Sequence, residues 1–186
     1  MTIEDAQADL RRAFVGGGPG LVISGIFWLA AASVEARSGT GPAFTLLFFT
    51  GMLIFPSAVL VSRFLFARAP AAKSNSLGGV ALESTIAMIG GLLIAWLLLP
   101  IRSEWVFPLA AIAVGTHFFA FRTVYGDVRF WLLGALLTAL GFAELFSQPL
   151  GGRLPLFVGA IEIAFGFWLA ISAQRSLTSP KAHFAE

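Results

Sequence analysis

The sequence predicts an all-α fold, an integral membrane bundle of about six transmembrane helices with a short N-terminal amphipathic interfacial helix. Three observations predict it. Only 12% of the 186 residues are charged, about half the roughly 25% of a soluble domain, which leaves too little polar surface to clothe a water-facing particle. Mean hydropathy is +0.86, and 19 Phe and 5 Trp stand against one Tyr; Phe is favourable in hydrocarbon and Trp at its interface. The chain also divides into six apolar stretches, each near the ~20 residues that ~30 Å of hydrocarbon requires. Six such spans leave no length for a separate soluble domain.

Residues 1–15 carry Glu4, Asp5 and Asp9, where a signal peptide would begin with a basic region. Ile3, Ala6, Leu10 and Phe14 recur at spacings of three and four, one face of a helix. Thr2 with Asp5 resembles a capping pair, and early acids with Arg11 and Arg12 at the end suit the helix dipole. The segment reads as a cytoplasmic amphipathic helix lying on the membrane surface, with a frayed tail as the alternative. The Gly16-Gly17-Gly18-Pro19-Gly20 run reads as a flexible hinge opening the transmembrane domain, residues 16–174. Its spans are expected at about 16–34, 42–62, 78–99, 105–122, 129–147 and 154–173. Pro56 should kink the second span, and Pro100 closes the third. Residues 175–186 are polar and are expected to form a disordered cytoplasmic tail.

The last span tests the assignment, because it holds Glu162. A central charge costs roughly 3 kcal/mol on the insertion scale, and each Leu, Ile, Phe or Val returns about 0.3–0.6. The ten such residues in 154–171 offset that cost. Five spans would require losing the short 105–122 segment, which begins near Pro108. With six, the termini share a side with the loops after spans two and four. That side holds Arg11, Arg12, Arg63, Arg68, Lys73, Arg122, Arg129, Arg175 and Lys181, against Arg37, Arg102 and Arg153 opposite. The bias places both termini in the cytoplasm. Glycines 51, 115 and 159 each sit midway along an even-numbered span, but their unequal spacing argues for chance over an internal repeat.

Ionisable residues inside spans are functional candidates by default. Glu83, His117 and Glu162 form the candidate intramembrane polar pathway, with Glu83 and His117 expected at similar depth and able to face each other. Glu162 lies nearer the middle of the bilayer. Glu35 and Glu144, at the outer ends of spans one and five, either extend this ladder of proton-exchanging groups or are simply solvated. Ser24, Trp28 and Glu35 share one face of span one, which lines a cavity or packs. The competing reading is structural: Glu83 shares a face with Ala87, Gly90, Gly91 and Ile94, and Glu162 sits between Gly159 and Gly166, both small faces suited to helix packing.

The absence of cysteine excludes disulfides, thiolate nucleophiles and Cys-based metal or iron–sulfur sites. Of two histidines, His183 falls in the tail, so no His-based metal site is expected. The sequence has no His-Glu-x-x-His, phosphate-loop or Gly-x-Ser-x-Gly motif. No catalytic residue and no cofactor are assigned. A net charge of +2 gives no electrostatic footprint for nucleic acid. The expected partners are membrane lipids and further copies of the chain, with the ligand unknown.

Val15-Gly16-Gly17 running to Ser24-Gly25 and Trp28, Gly51-Met52 with Ile54-Phe55-Pro56, and Val114-Gly115-x-His117 to Tyr125-Gly126 together resemble a domain-of-unknown-function family of small bacterial multi-pass membrane proteins. The resemblance covers most of the chain. It implies a bacterial cytoplasmic (inner) membrane location and brings no activity, ligand or site residue. It also implies that His117 and the Gly-Pro start of span one belong to the family's pattern.

Three functions follow in order. The first is a small channel or transporter for protons, ions or a small solute. The second is a non-catalytic protein that assembles with itself or a partner through its small-residue faces. An intramembrane enzyme is third.

Overall fold

The computed structural model describes residues 1–178, with side chains through Arg175. Its elements are α1 (Ile3–Ala13), a tight turn (Val15–Gly17), α2 (Gly18–Ser38), α3 (Thr40–Gly51) and α4 (Ile54–Leu60) with a π turn (Val61–Leu65). There follow α5 (Leu77–Leu97), α6 (Val106–Tyr125) after a short 3₁₀ turn, α7 (Arg129–Ser147) and α8 (Leu154–Thr178). Among the described residues there is no strand.

Five helical segments are long and apolar enough to cross a membrane. The bent pair α3–α4 makes a sixth if it counts as one span. The chain is therefore an all-helical bundle of the membrane-spanning type. Its outer surface agrees: Phe55, Phe64, Leu97 and Phe146 are all exposed, a cost in water and a gain in hydrocarbon. The pair bends by 46° at Met52–Leu53. The break lies one turn before Pro56, where the missing proline N–H leaves the Met52 carbonyl without its helical partner and the ring crowds it.

Two antiparallel helix seams build the core. In the first, α2 packs on α8, so the first and last spans close the bundle. A Cβ added at Gly18 would lie 2.6 Å from the Gly166 carbonyl oxygen, and one at Gly25 2.6 Å from that of Gly159. The reverse contacts, Gly159 against the Gly25 carbonyl and Gly166 against that of Gly18, are 2.8 and 2.9 Å. In the second seam α6 packs on α7, with Gly115 and Gly134 crossing at 2.7–3.0 Å and Gly141 set against the Pro108 carbonyl at 2.7 Å. Such distances admit only glycine. Close backbone approach is the membrane substitute for hydrophobic collapse, since lipid is as apolar as the side chains. Gly51, by contrast, has nothing near it, so the three mid-span glycines are not equivalent.

Helix α1 is capped as expected: the Asp5 N–H donates to Thr2 Oγ1 and the Thr2 N–H to Asp5, both at 3.2 Å. Its apolar face (Ala6, Leu10, Ala13) is buried. That face lies on protein, because Gln7 donates to the Thr123 carbonyl at 2.8 Å and Arg11 to that of Tyr125. Asn75 bonds the Ala6 carbonyl at 2.9 Å. These contacts gather α1, the C-terminal end of α6 and the loop after α4 at one end of the bundle. The same end holds most of the arginines.

Two local expectations need correction. The glycine run is no hinge. Val15, Gly16 and Gly17 all take left-handed φ values, 51°, 66° and 84°, and Gly17 sits against the rings of Phe130 and Tyr125. The turn is packed, and Val15, only 1% exposed, is held in a conformation that a β-branched residue rarely adopts. The tail does not start at 175, since α8 continues to Thr178. The disorder expected after that, and His183, lie outside the described residues.

Candidate functional site

Glu162 is placed by the α2–α8 seam. It lies three residues after Gly159 and four before Gly166 on the face that those glycines press onto α2, and it is 0% exposed. Eight residues separate it from Leu154, which puts it ~12 Å into the helix. Neither carboxyl oxygen has a hydrogen-bond partner. The polar group that acts on it is the hydroxyl of Ser24, itself buried on α2. As a carboxylate the group has no counter-charge and only the Ser24 hydroxyl as a donor to it.

His117 faces a different neighbour. Its Nδ1 lies 2.8 Å from Ser84 Oγ on α5, and that hydroxyl also reaches the His117 carbonyl at 3.2 Å. Phe121 packs on the imidazole with ring centroids 4.4 Å apart. Glu83 does not face His117. It is exposed on the outer side of α5, because one residue along a helix turns ~100° and the inward position falls to Ser84. Glu83, His117 and Glu162 thus occupy three separate environments.

The remaining candidates pack or brace. Trp28 is buried against Phe107, with ring centroids 6.0 Å apart, and Glu35 accepts from Thr40 Oγ1 at 3.4 Å. Glu144 is not solvated. It is 4% exposed and accepts from the backbone N–H groups of Leu150 and Gly152 at 2.9 and 3.0 Å, fixing the α7–α8 loop. None of these residues lines either of the two cavities characterised. One is an apolar groove of about 430 Å³ between Phe48, Phe49, Leu93, Trp96 and Leu97, and the other lies beside Ser62 and Arg68. Among the described residues no three His, Asp or Glu side chains converge as a metal site would require.

Sequence reasoning missed Ser84, Thr138 and Ser62, and counted Arg68 only as a basic residue of the cytoplasmic side. Thr138 Oγ1, Ser62 Oγ and Arg68 Nε are buried without partners. Hydroxyls in apolar helices are usually silent, because they can bond their own backbone as Thr85 does to Ala81, so nothing in the sequence singled them out.

The basic end is wired by ion pairs. Arg129 bonds Asp127 at 2.6 Å, reaches Ser172 Oγ at 2.7 Å and stacks over Trp168. Burial alone would raise the Asp127 pKa; the Arg129 hydrogen bonds, with the Arg129 and Arg11 charges, outweigh it and hold the carboxyl below its ordinary value. Asp9 behaves alike. Burial is opposed by hydrogen bonds from Asn75, the Ala72 N–H and Arg12, which lower it.

The chain belongs to the family described as "Family of unknown function (DUF7010)", whose model matches residues 3–172. No curated protein and no solved structure matches it.

Proposed function

We propose that this chain, as a member of a family of unknown function, moves protons or small cations across the membrane, alone or with a small solute. Glu162 is the group that takes them up and releases them. In this reading six spans cross a bacterial cytoplasmic membrane, with the basic end and both termini inside.

The observation that carries the reading is the isolation of Glu162. A carboxyl buried with no charge partner and only the Ser24 hydroxyl as a polar neighbour costs several kcal/mol as an ion, and a lipid-soluble side chain of the same size would avoid that cost. An intramembrane acid kept under those terms is by default a functional group. The broken α3–α4 span supports the reading too, since interrupted helices are a recurring part of transporters. The experiment is a pH-gradient flux assay on the full chain in proteoliposomes. Wild type should dissipate or use the gradient, and Glu162→Gln should abolish that flux while eluting as a folded species. Equal flux from the variant, or none from wild type, overturns the proposal.

A second reading rests on α5, the least buried of the candidate spans. Its outward face carries Glu83, Ala87, Gly90 and Ile94, all exposed, and Gly90 has open space about it. A small face with one carboxylate suits another copy of the chain. Loss of a dimer in Gly90→Leu, with flux unaffected by Glu162→Gln, would favour assembly over transport.

A further inference from the structure

The basic end of α4 builds a cavity that the transport reading does not use. Its last turn widens into the π turn, with the Phe66 N–H on the Val61 carbonyl at 3.3 Å. Ala67 then takes φ 51°, and the Arg68 N–H returns to the Ser62 carbonyl at 3.0 Å. This closure is one residue wider than the 6→1 bond with which helices usually end at a left-handed glycine. Here it is made by an L residue held against its preference, and it folds Arg68 back over Ser62. The strap that follows is pinned by α1: Arg12 donates to the carbonyls of Ala69 and Pro70 at 3.1 and 3.2 Å, and Asp9 accepts from the Ala72 N–H at 2.8 Å.

Between strap, α1 and α4 lies a cavity of about 250 Å³ lined by Ser62, Arg63 and Arg68, with Phe14 and Val59 among its apolar walls. Ser62 is 2% exposed. Its Oγ and the Nε of Arg68 are both out of solvent and without a partner. No carboxylate lines the space. The Ser62 hydroxyl and the Arg68 Nε–H are buried donors without an acceptor, which is costly, and the exposed Arg63 brings a second guanidinium to the same lining. The acceptor that suits them is acceptor-only, anionic and three-dimensional, because two adjacent residues of the π turn, Ser62 and Arg63, and Arg68 from the strap that follows line the same cavity. A phosphate meets all three conditions. Leu60, Phe64 and Leu65 stand exposed beside the mouth, where acyl chains would run, and a basic pocket at the end of spans lies at headgroup depth.

We propose that this cavity binds a phosphate group, carried by an anionic lipid headgroup or free in solution. The test uses the full chain in a neutral detergent, with native mass spectrometry and thermal shift as readouts. Phosphatidylglycerol is titrated against phosphatidylcholine in one arm and inorganic phosphate is titrated in the other. Saturable retention of one phosphatidylglycerol per chain, weakened about tenfold in Arg68→Gln and Ser62→Ala and unchanged in Arg37→Gln at the far end, establishes the site with lipid as its source. The same variant dependence for inorganic phosphate, without lipid retention, establishes it with free phosphate as the source. Equal affinity of wild type and Arg68→Gln for both probes overturns it. If Arg68→Gln does not fold, Arg63→Gln, altered only at an exposed side chain, carries the same expectation.

Discussion

The two seams that hold this bundle together are built on one plan and filled differently. On α7, Gly134 and Gly141 stand seven residues apart with Thr138 between them; on α8, Gly159 and Gly166 stand seven apart with Glu162 between them. Each glycine meets backbone of its partner helix, and each intervening side chain ends in oxygen that is buried and unpartnered. The α6–α7 seam shows that the geometry needs the glycines and tolerates a small hydroxyl. It does not need a carboxyl. What packing alone asks of that position is met by Thr138, so the larger desolvation cost accepted at Glu162 points to a use beyond packing.

The largest effect should come from filling either seam. Gly25→Leu and Gly115→Leu each place a side chain where a single Cβ already falls within 2.7 Å of facing atoms, and each should lower stability by about 3 kcal/mol, read as a fall in thermal midpoint. The outcomes should then part. A short turn joins α6 to α7, so their contact survives strain as a local hairpin. The helices α2 and α8 are the chain's first and last spans, and Gly25→Leu alone should release α8 to limited proteolysis. Release of α8 in both variants would mean that the seams are not independent.

A smaller effect separates the two fillings. Glu162→Leu should stabilise the protein by about 1–3 kcal/mol, because it replaces an unpartnered carboxyl with apolar volume. Thr138→Val should change stability by no more than about 1 kcal/mol. Detergent melts of the pair decide it: a destabilised Glu162→Leu would make the carboxyl structural and end the functional argument from the comparison.

Much of this fold was legible because lipid solvation writes itself into length and composition. All six apolar stretches became helix, and Pro56 announced the break in the second span. Rotation was not legible. Apolar residues surround α5, so no polar face told Glu83 from Ser84, and an error of one residue turned the wrong group inward. Helix pairing was hidden for a related reason. Seven-residue glycine spacing in 18/25 and 159/166 was present, but glycine is common in membrane helices, and only the facing carbonyls give it meaning. Glu144 was unreadable because its partners are two backbone N–H groups of a loop.

Acid should loosen the α2–α8 seam at its basic end, where the strap after α4 is clasped to α1. Asp9 holds the strap to α1, and α1 leads through the packed Val15–Gly17 turn into α2. Its pKa is lowered on folding. The carboxylate therefore contributes its full stability above the ordinary aspartate value of about 4 and loses it as pH falls through the lower folded value. Hydrogen exchange of the α1 and Ala72 amides should accelerate over that interval, and Asp9→Asn should show the faster exchange already at neutral pH. Equal exchange in variant and wild type would remove the clasp from the seam's account.

The finest comparison needs two adjacent residues. Gly90 and Gly91 lie on one helix with the same intrinsic cost of about 1 kcal/mol relative to alanine, yet a Cβ at Gly91 meets Ala113 Cβ at 2.9 Å and one at Gly90 meets nothing. Gly90→Ala should thus be neutral or stabilising by up to about 1 kcal/mol, while in Gly91→Ala the strain against α6 should cancel that gain or exceed it. Because composition, depth and propensity are shared, the difference between the two melting points isolates close approach as the quantity that glycine supplies in these seams. If Gly90→Ala instead lowers the midpoint, and does so more at high protein concentration, its open face is covered by a second copy, and a third seam of the same kind lies between chains.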